Sequence, residues 1–259
     1  MPYCPHCGQQ LLEGARHCDK CGEALLHLDK AVAQRSLPQH LAEAARFTAS
    51  NPTVLVPEAM AGALKLTMGW TIMLLGTLFD VESLYEYIYP QLSTVAYTVQ
   101  DTPDIPPGFW LFGLSIILVL IAYTALSGMF TFTAVHMVWT GVKTGHVSLG
   151  GSARYVLGRF WGLILAVVLG NLLCLTVVLV PAVLFMYAAM VVDDTGIREG
   201  LSKGFAVTMK RLAASTAIVI IYLGLQLAFD LIPHVGEILF SVPATIITVA
   251  IINVYAATK

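Results

Sequence analysis

Four cysteines stand within the first 21 residues as two pairs, Cys4-x2-Cys7 and Cys18-x2-Cys21, separated by ten residues. A tight turn lets both thiolates of a pair face one ion. Gly8 and Gly22 directly follow the second cysteine of each pair, where the backbone must approach the sulfurs and a positive φ is useful. Four soft thiolates in a tetrahedral array suit Zn²⁺, at Zn–S distances of about 2.3 Å. Iron in a rubredoxin-like site is the rival that the same donors allow, and a redox dithiol fits less well. Four protein ligands leave no position open for water, so Cys4, Cys7, Cys18 and Cys21 are expected to hold a structural zinc, not a catalytic one. His6 and His17 flank ligands, but the shell is already closed and they read as surface residues. A segment of about 25 residues cannot build a core, so the metal must supply the folding energy.

This stretch resembles the short zinc-ribbon domain found at the N-terminus of many prokaryotic membrane proteins. Its spacing is specific for the fold and silent on function. Reduced CxxC pairs imply a reducing compartment and hence a cytosolic N-terminus. Residues 1–30 set Arg16, Lys20 and Lys30 against Glu13, Asp19, Glu23 and Asp29, so there is no basic face for nucleic acid. A cytosolic protein partner is the more natural contact for the ribbon.

Beyond the ribbon the chain is built for lipid. The 259 residues are 57% hydrophobic and only 12% charged, against about 25% charged in a typical soluble domain. The lipid bilayer is therefore the expected surrounding. The polar, Cys-rich start offers no apolar segment of signal-peptide type, so no cleavable signal is expected. The chain divides into a zinc ribbon (1–26), a linker and interfacial segment (27–57) and a transmembrane helical domain (58–259).

A short helix is expected after Pro38, with Leu41, Ala44, Ala45 and Thr48 as a weak apolar face. Pro52 and Pro57 are expected to forbid a regular helix through "NPTVLVPEAM" and to redirect the chain into the bilayer. A span needs about 20 apolar residues. Ala59 to Phe79 is the first candidate, with Lys65 snorkelling toward headgroups and Gly62, Gly69 and Gly76 sharing one face for close helix packing. Phe109 to Trp139 is the second. Phe160 to Val192 is too long for one ordinary span, and Pro181 sits inside it, so a hairpin of two short helices bending near 177–181 is expected. Leu212 to Phe229 and about Ile238 to Ala256 complete the set. The fold class is thus an all-α membrane protein with about six transmembrane helices, the third and fourth a short hairpin, behind a small Cys4 zinc ribbon.

Charge orients these spans. Residues 80–108 hold five acids and no Lys, Arg or His, and 230–237 has no Lys or Arg. Residues 140–159 hold Lys143, His146, Arg154 and Arg159 without an acid, and 193–211 hold four cations. The positive-inside rule puts the basic loops in the cytosol and both termini with them, which requires an even number of spans. Aromatic residues cluster at 85–110 and at Trp139, Phe160 and Trp161, as expected at the two interfaces. A multi-pass protein of a prokaryotic plasma membrane is expected. In "DDTGIREGLSKGFAVTMKRL", Asp193, Asp194 and Thr195 offer N-cap oxygens to a basic amphipathic helix with Ile197, Leu201, Phe205 and Met209 on its apolar side.

"NPTVLVP", the Pro181 hairpin, "VVDDTGIREGLSKGFAVTMKRL" and "PATIITVAIINVYAATK" occur in that order. Together they are similar to a loosely related prokaryotic family that includes the YciC-like proteins and the membrane domain of some glycerophosphoryl diester phosphodiesterases. The resemblance covers roughly residues 40 to 259 and implies a six-helix membrane domain without an established chemistry. Phe205 stands where the family pattern has a small or polar residue. No phosphodiesterase catalytic domain is present in these residues, and that activity is not carried over.

No catalytic constellation emerges: there is no nucleophile motif, phosphate loop or His-Glu-x-x-His. Polar groups within spans are the functional suspects. His136 reads as a helix–helix hydrogen bond and Asn171 as packing glue near Cys174. Gln226 lies on the fifth span and Asn253 near the end of the sixth. Asp230, His234 and Glu237 cluster at one turn, as a solvated cap or a small cation or proton site. No buried carboxylate is expected at mid-depth, which argues against an active carrier, and a polar cavity among the spans is not expected. Two roles remain: a non-enzymatic membrane protein whose ribbon docks a partner or regulates, or a transporter or lipid-handling protein with a regulatory ribbon. Oligomeric state is not legible.

Overall fold

The computed structural model describes residues 36–80, 107–232 and 235–258, and every regular element among them is helical. The order is α1 (Leu37–Ser50), α2 (Leu55–Leu78), α3 (Pro107–Thr144), α4 (Leu149–Gly158), α5 (Phe160–Cys174), α6 (Val180–Val192), α7 (Ile197–Lys210), α8 (Leu212–Asp230), the single turn α9 (Gly236–Leu239) and α10 (Ser241–Ala256). The four ribbon cysteines, the acidic segment 81–106 and His234 lie outside the described residues.

Four helical stretches are long and apolar enough to cross a membrane: Pro52–Leu78, Trp110–Thr144, Leu212–Asp230 and Gly236–Ala256. A fifth results if α4 and α5, which meet at 85°, are one broken span. The run 160–192 breaks as expected, but at Leu175–Leu179, just before Pro181. Pro181 does not interrupt a helix. It occupies the start of α6, where a missing N–H costs nothing. With 15 and 13 residues, α5 and α6 are each shorter than a full span.

Three expectations are corrected by the structure. Pro52 opens a 3-10 turn (Pro52–Val54) and Pro57 falls in the first turn of α2, so the helix starts at Leu55 and runs straight through the second proline. The first N–H groups of a helix have no intrahelical acceptor, and a proline there breaks no bond. The N-cap of α7 is Gly196, without a side-chain cap bond, because Asp193, Asp194 and Thr195 are engaged elsewhere. Of the three glycines on α2, only Gly62 has a neighbour: a Cβ there would meet the Glu237 carbonyl oxygen at 2.6 Å, whereas Gly69 and Gly76 face open space.

The core surrounds α10. Ala244, Ile247, Val249, Ala250 and Ile252 are buried against α1, α2, α3, α6 and α8. Small residues set the closest approach. Gly200 and Gly204, one helical turn apart, let α7 lie directly on α6, and a Cβ on Gly204 would come within 2.4 Å of the Ala182 carbonyl oxygen. Phe205 and Met209 face outward from this contact.

Candidate functional site

Two polar assemblies stand out in this apolar bundle. The first ties helix ends together. Tyr255 Oη donates to Asp193 Oδ2 at 2.7 Å, and Lys203 Nζ donates to the same oxygen at 2.9 Å while also pairing with Glu199. Those carboxylates, Glu199 foremost, hold the Lys203 ammonium above its ordinary pKa. Beside it, Arg159 forms an ion pair with Asp194, whose φ of 54° lies in the left-handed region that Asp tolerates better than most residues. Arg159 also donates to Tyr155 Oη at 2.8 Å, and the Tyr155 ring stacks on His136 at 4.1 Å. His136 Nδ1 and Ser152 Oγ are 2.9 Å apart, the helix–helix hydrogen bond expected of this histidine. Every member of this assembly has a structural partner, so it reads as a clamp joining α3, α4, α7, α10 and the α6–α7 turn.

The second assembly lines a half-open space. A cavity of about 360 Å³ lies inside the bundle. α2 contributes Glu58 and Lys65, and α3 contributes Tyr123, Ser127 and Thr131. Asn171 of α5, Tyr187 of α6, Tyr222 and Gln226 of α8, Glu237 and Ser241 close it. The helices open this room in identifiable ways. Gly62 lets the turn before α10 come against α2, which brings Glu237 to Lys65. Gly170 leaves space for the Tyr187 hydroxyl, which would sit 2.1 Å from a Cβ there. Phe132 packs edge-on against Tyr187 at 5.0 Å, and Phe240 against Tyr222 at 5.3 Å, so both tyrosines are anchored from behind.

Lys65 does not simply snorkel. It is paired with Glu237 and its Nζ lies 3.9 Å from Asp230 Oδ1. Lys65 follows Leu55 by about 15 Å of helix and precedes Leu78 by about 20 Å, at 1.5 Å per residue. The pair therefore sits near the middle of the span α2. Two of the three residues suspected at the 230–237 turn thus meet, but around a lysine from another helix. Glu58, in the first turn of α2, has no ion pair or hydrogen bond to another described side chain. The expectation of no polar cavity is overturned, and Glu58 and Glu237 are carboxylates on its wall. The lining residues come from six helices and one turn, so no local motif announced them.

No group of metal-binding side chains occurs among the described residues. The metal signal lies in the N-terminal segment, where residues 3–25 match the zinc-ribbon domain family. That stretch contains all four cysteines of the CxxC pairs, and four thiolates are the donor set that zinc favours. No curated protein and no solved structure matches the chain. The protein therefore joins a zinc-ribbon domain to an all-helical body with four or five candidate membrane helices.

Proposed function

We propose that this is a non-enzymatic membrane carrier or receptor that takes a small polar group into the cavity within its helices, with the zinc ribbon as a cytosolic regulatory appendage. The carrying observation is the cavity itself, with Glu58, Lys65 and Glu237 on its wall inside otherwise apolar helices. Ionisable groups on apolar, membrane-length helices are costly and mark substrate or ion pathways in membrane proteins. A bundle that served only to anchor a docking ribbon would have no use for them. Broken helices and turns at membrane depth are tolerated where they line a cavity, as Glu237 and Phe240 do here.

The distribution of cations supports cytosolic termini, and the even span number that this requires favours six helices, with α5 and α6 as the short pair.

The test is water access. Ser127→Cys places a thiol on the cavity wall in a Cys174→Ser background. Sealed vesicles of both orientations are treated with a charged, membrane-impermeant thiol reagent, and the modified peptide is located by mass. Labelling from at least one face, with a lipid-facing Leu118→Cys control unlabelled, is expected. A Ser127→Cys protein as inert as the control from both faces would remove the basis of the proposal.

A further inference from the structure

The wall formed by Lys65 and Glu237 has two sides. Inside lies the polar cavity. Outside lies an open groove of about 510 Å³, lined by the same Lys65 and Glu237 together with Leu66, Met68, Trp70 and Met73. Trp70 and Met73 are among the most exposed large side chains of α2. Gly69 lies along this groove, and a Cβ added to it would meet nothing within 4 Å. A polar chamber and an apolar channel thus share one ion pair as their partition.

Charge inside the cavity is unbalanced. Within the lining Lys65 and Glu237 neutralise each other, and Asp230, 3.9 Å from Lys65, stands outside the lining. Glu58 has no cation beside it among the described residues, so one positive charge would complete the lining. Tyr123, Tyr187 and Tyr222 share that lining, and phenol rings favour alkylammonium groups. About 360 Å³ admits a head group of a few heavy atoms and not a long chain.

We propose that cavity and groove together hold a membrane amphiphile with an ammonium-bearing head: the head beside Glu58, the apolar chain along Leu66, Met68 and Met73, and the Lys65–Glu237 pair as the sill between them. This deepens the proposal of a polar cavity and rests on it. The ligand reaches the site sideways from the membrane, and the ion pair opens or shifts as the head passes. The geometry assigns each part of the ligand a separate protein element, so each can be tested alone.

The experiment uses the full chain in lipid vesicles and follows protection of the Ser127→Cys thiol from the charged reagent. Three probes are compared: dodecylammonium below its lytic concentration, ethylammonium and uncharged dodecanol. Dodecylammonium is expected to protect at a concentration about tenfold or more below ethylammonium, and dodecanol not at all in that range. Glu58→Gln should raise the protecting concentration of both amines about tenfold. Gly69→Leu, which enters open space on a helix surface, should weaken dodecylammonium and leave ethylammonium unchanged. Equal protection by the two amines, or no effect of Gly69→Leu, removes the groove from the proposal. Protection by dodecanol, or an unaltered Glu58→Gln protein, removes the ammonium. A thiol that labels readily but is protected by neither amine sinks the amphiphile while the water-filled cavity stands. A thiol that never labels sinks both.

Discussion

Lys65 in the middle of α2 is paired with Glu237 on the turn between α8 and α10, and this contact joins the first described span to the last. Removing one partner leaves the other charge in a low-dielectric setting, whereas removing both leaves only the more exposed Asp230. Lys65→Met is therefore expected to destabilise by about 2 kcal/mol or more, below the ~3–5 kcal/mol of a fully buried pair because both groups keep partial exposure. The double variant Lys65→Met, Glu237→Gln should recover at least half of that loss. Unfolding midpoints of the four members of this cycle in one mild detergent give the coupling. Additive losses would mean the pair contributes nothing as a pair.

The α6–α7 contact makes a sharper steric prediction. A Cβ on Gly204 would lie 2.4 Å from the Ala182 carbonyl oxygen and 2.6 Å from the Met186 nitrogen, both backbone atoms that cannot rotate away. The helices must separate, so Gly204→Ala should cost about 1–3 kcal/mol, the range of overpacked cores. Gly76→Ala meets nothing and should stabilise by about 0.5–1 kcal/mol through helix propensity. Thermal unfolding of the two variants should move in opposite directions.

Local chemistry made part of this legible in advance. Length and hydropathy located the long spans, and the proline after a 20-residue apolar run located the break between α5 and α6. What escaped was everything that depends on the partner helix. Lys65 looks like a snorkelling residue until Glu237, 172 positions later, is placed beside it. Glu58 looks interfacial in a proline-flanked segment until α2 is seen to begin at Leu55. The three glycines of α2 have the spacing of a packing face, yet only Gly62 meets a neighbour. Gly200 and Gly204, which do form such a face, sit in a segment whose apolar stripe splits: Ile197 and Leu201 pack on the core beside them, while Phe205 and Met209 are exposed. Periodicity reports which faces are apolar, not which are covered.

The zinc ribbon should behave as a separate folding unit whose stability is the metal's binding energy. One zinc per chain is expected by elemental analysis, and the Cys7→Ser, Cys18→Ser variant should lose it. Limited proteolysis should then cut within residues 3–25, the matched zinc-ribbon segment, while the unfolding midpoint of the helical body stays where it was. A coupled fall of that midpoint would instead show the ribbon packed against the helices.

The clamp around Asp193 gives a graded prediction. Its carboxylate, only 9% exposed, accepts from the Tyr255 hydroxyl and from Lys203 through the same oxygen. Tyr255 is buried and its bond is to a charged group, so Tyr255→Phe should cost about 1.5–3 kcal/mol. Lys203 is more exposed and its Coulomb gain is screened, so Lys203→Met should cost less. The pKa of Lys203 is raised in the folded chain, so its contribution is complete below the ordinary lysine value and fades only as pH climbs through the folded one. At neutral pH the stability of wild type and Lys203→Met should therefore differ by a constant amount, and the two curves should converge only in strongly alkaline buffer. Convergence near neutrality would mean that a group other than Lys203 titrates in the clamp.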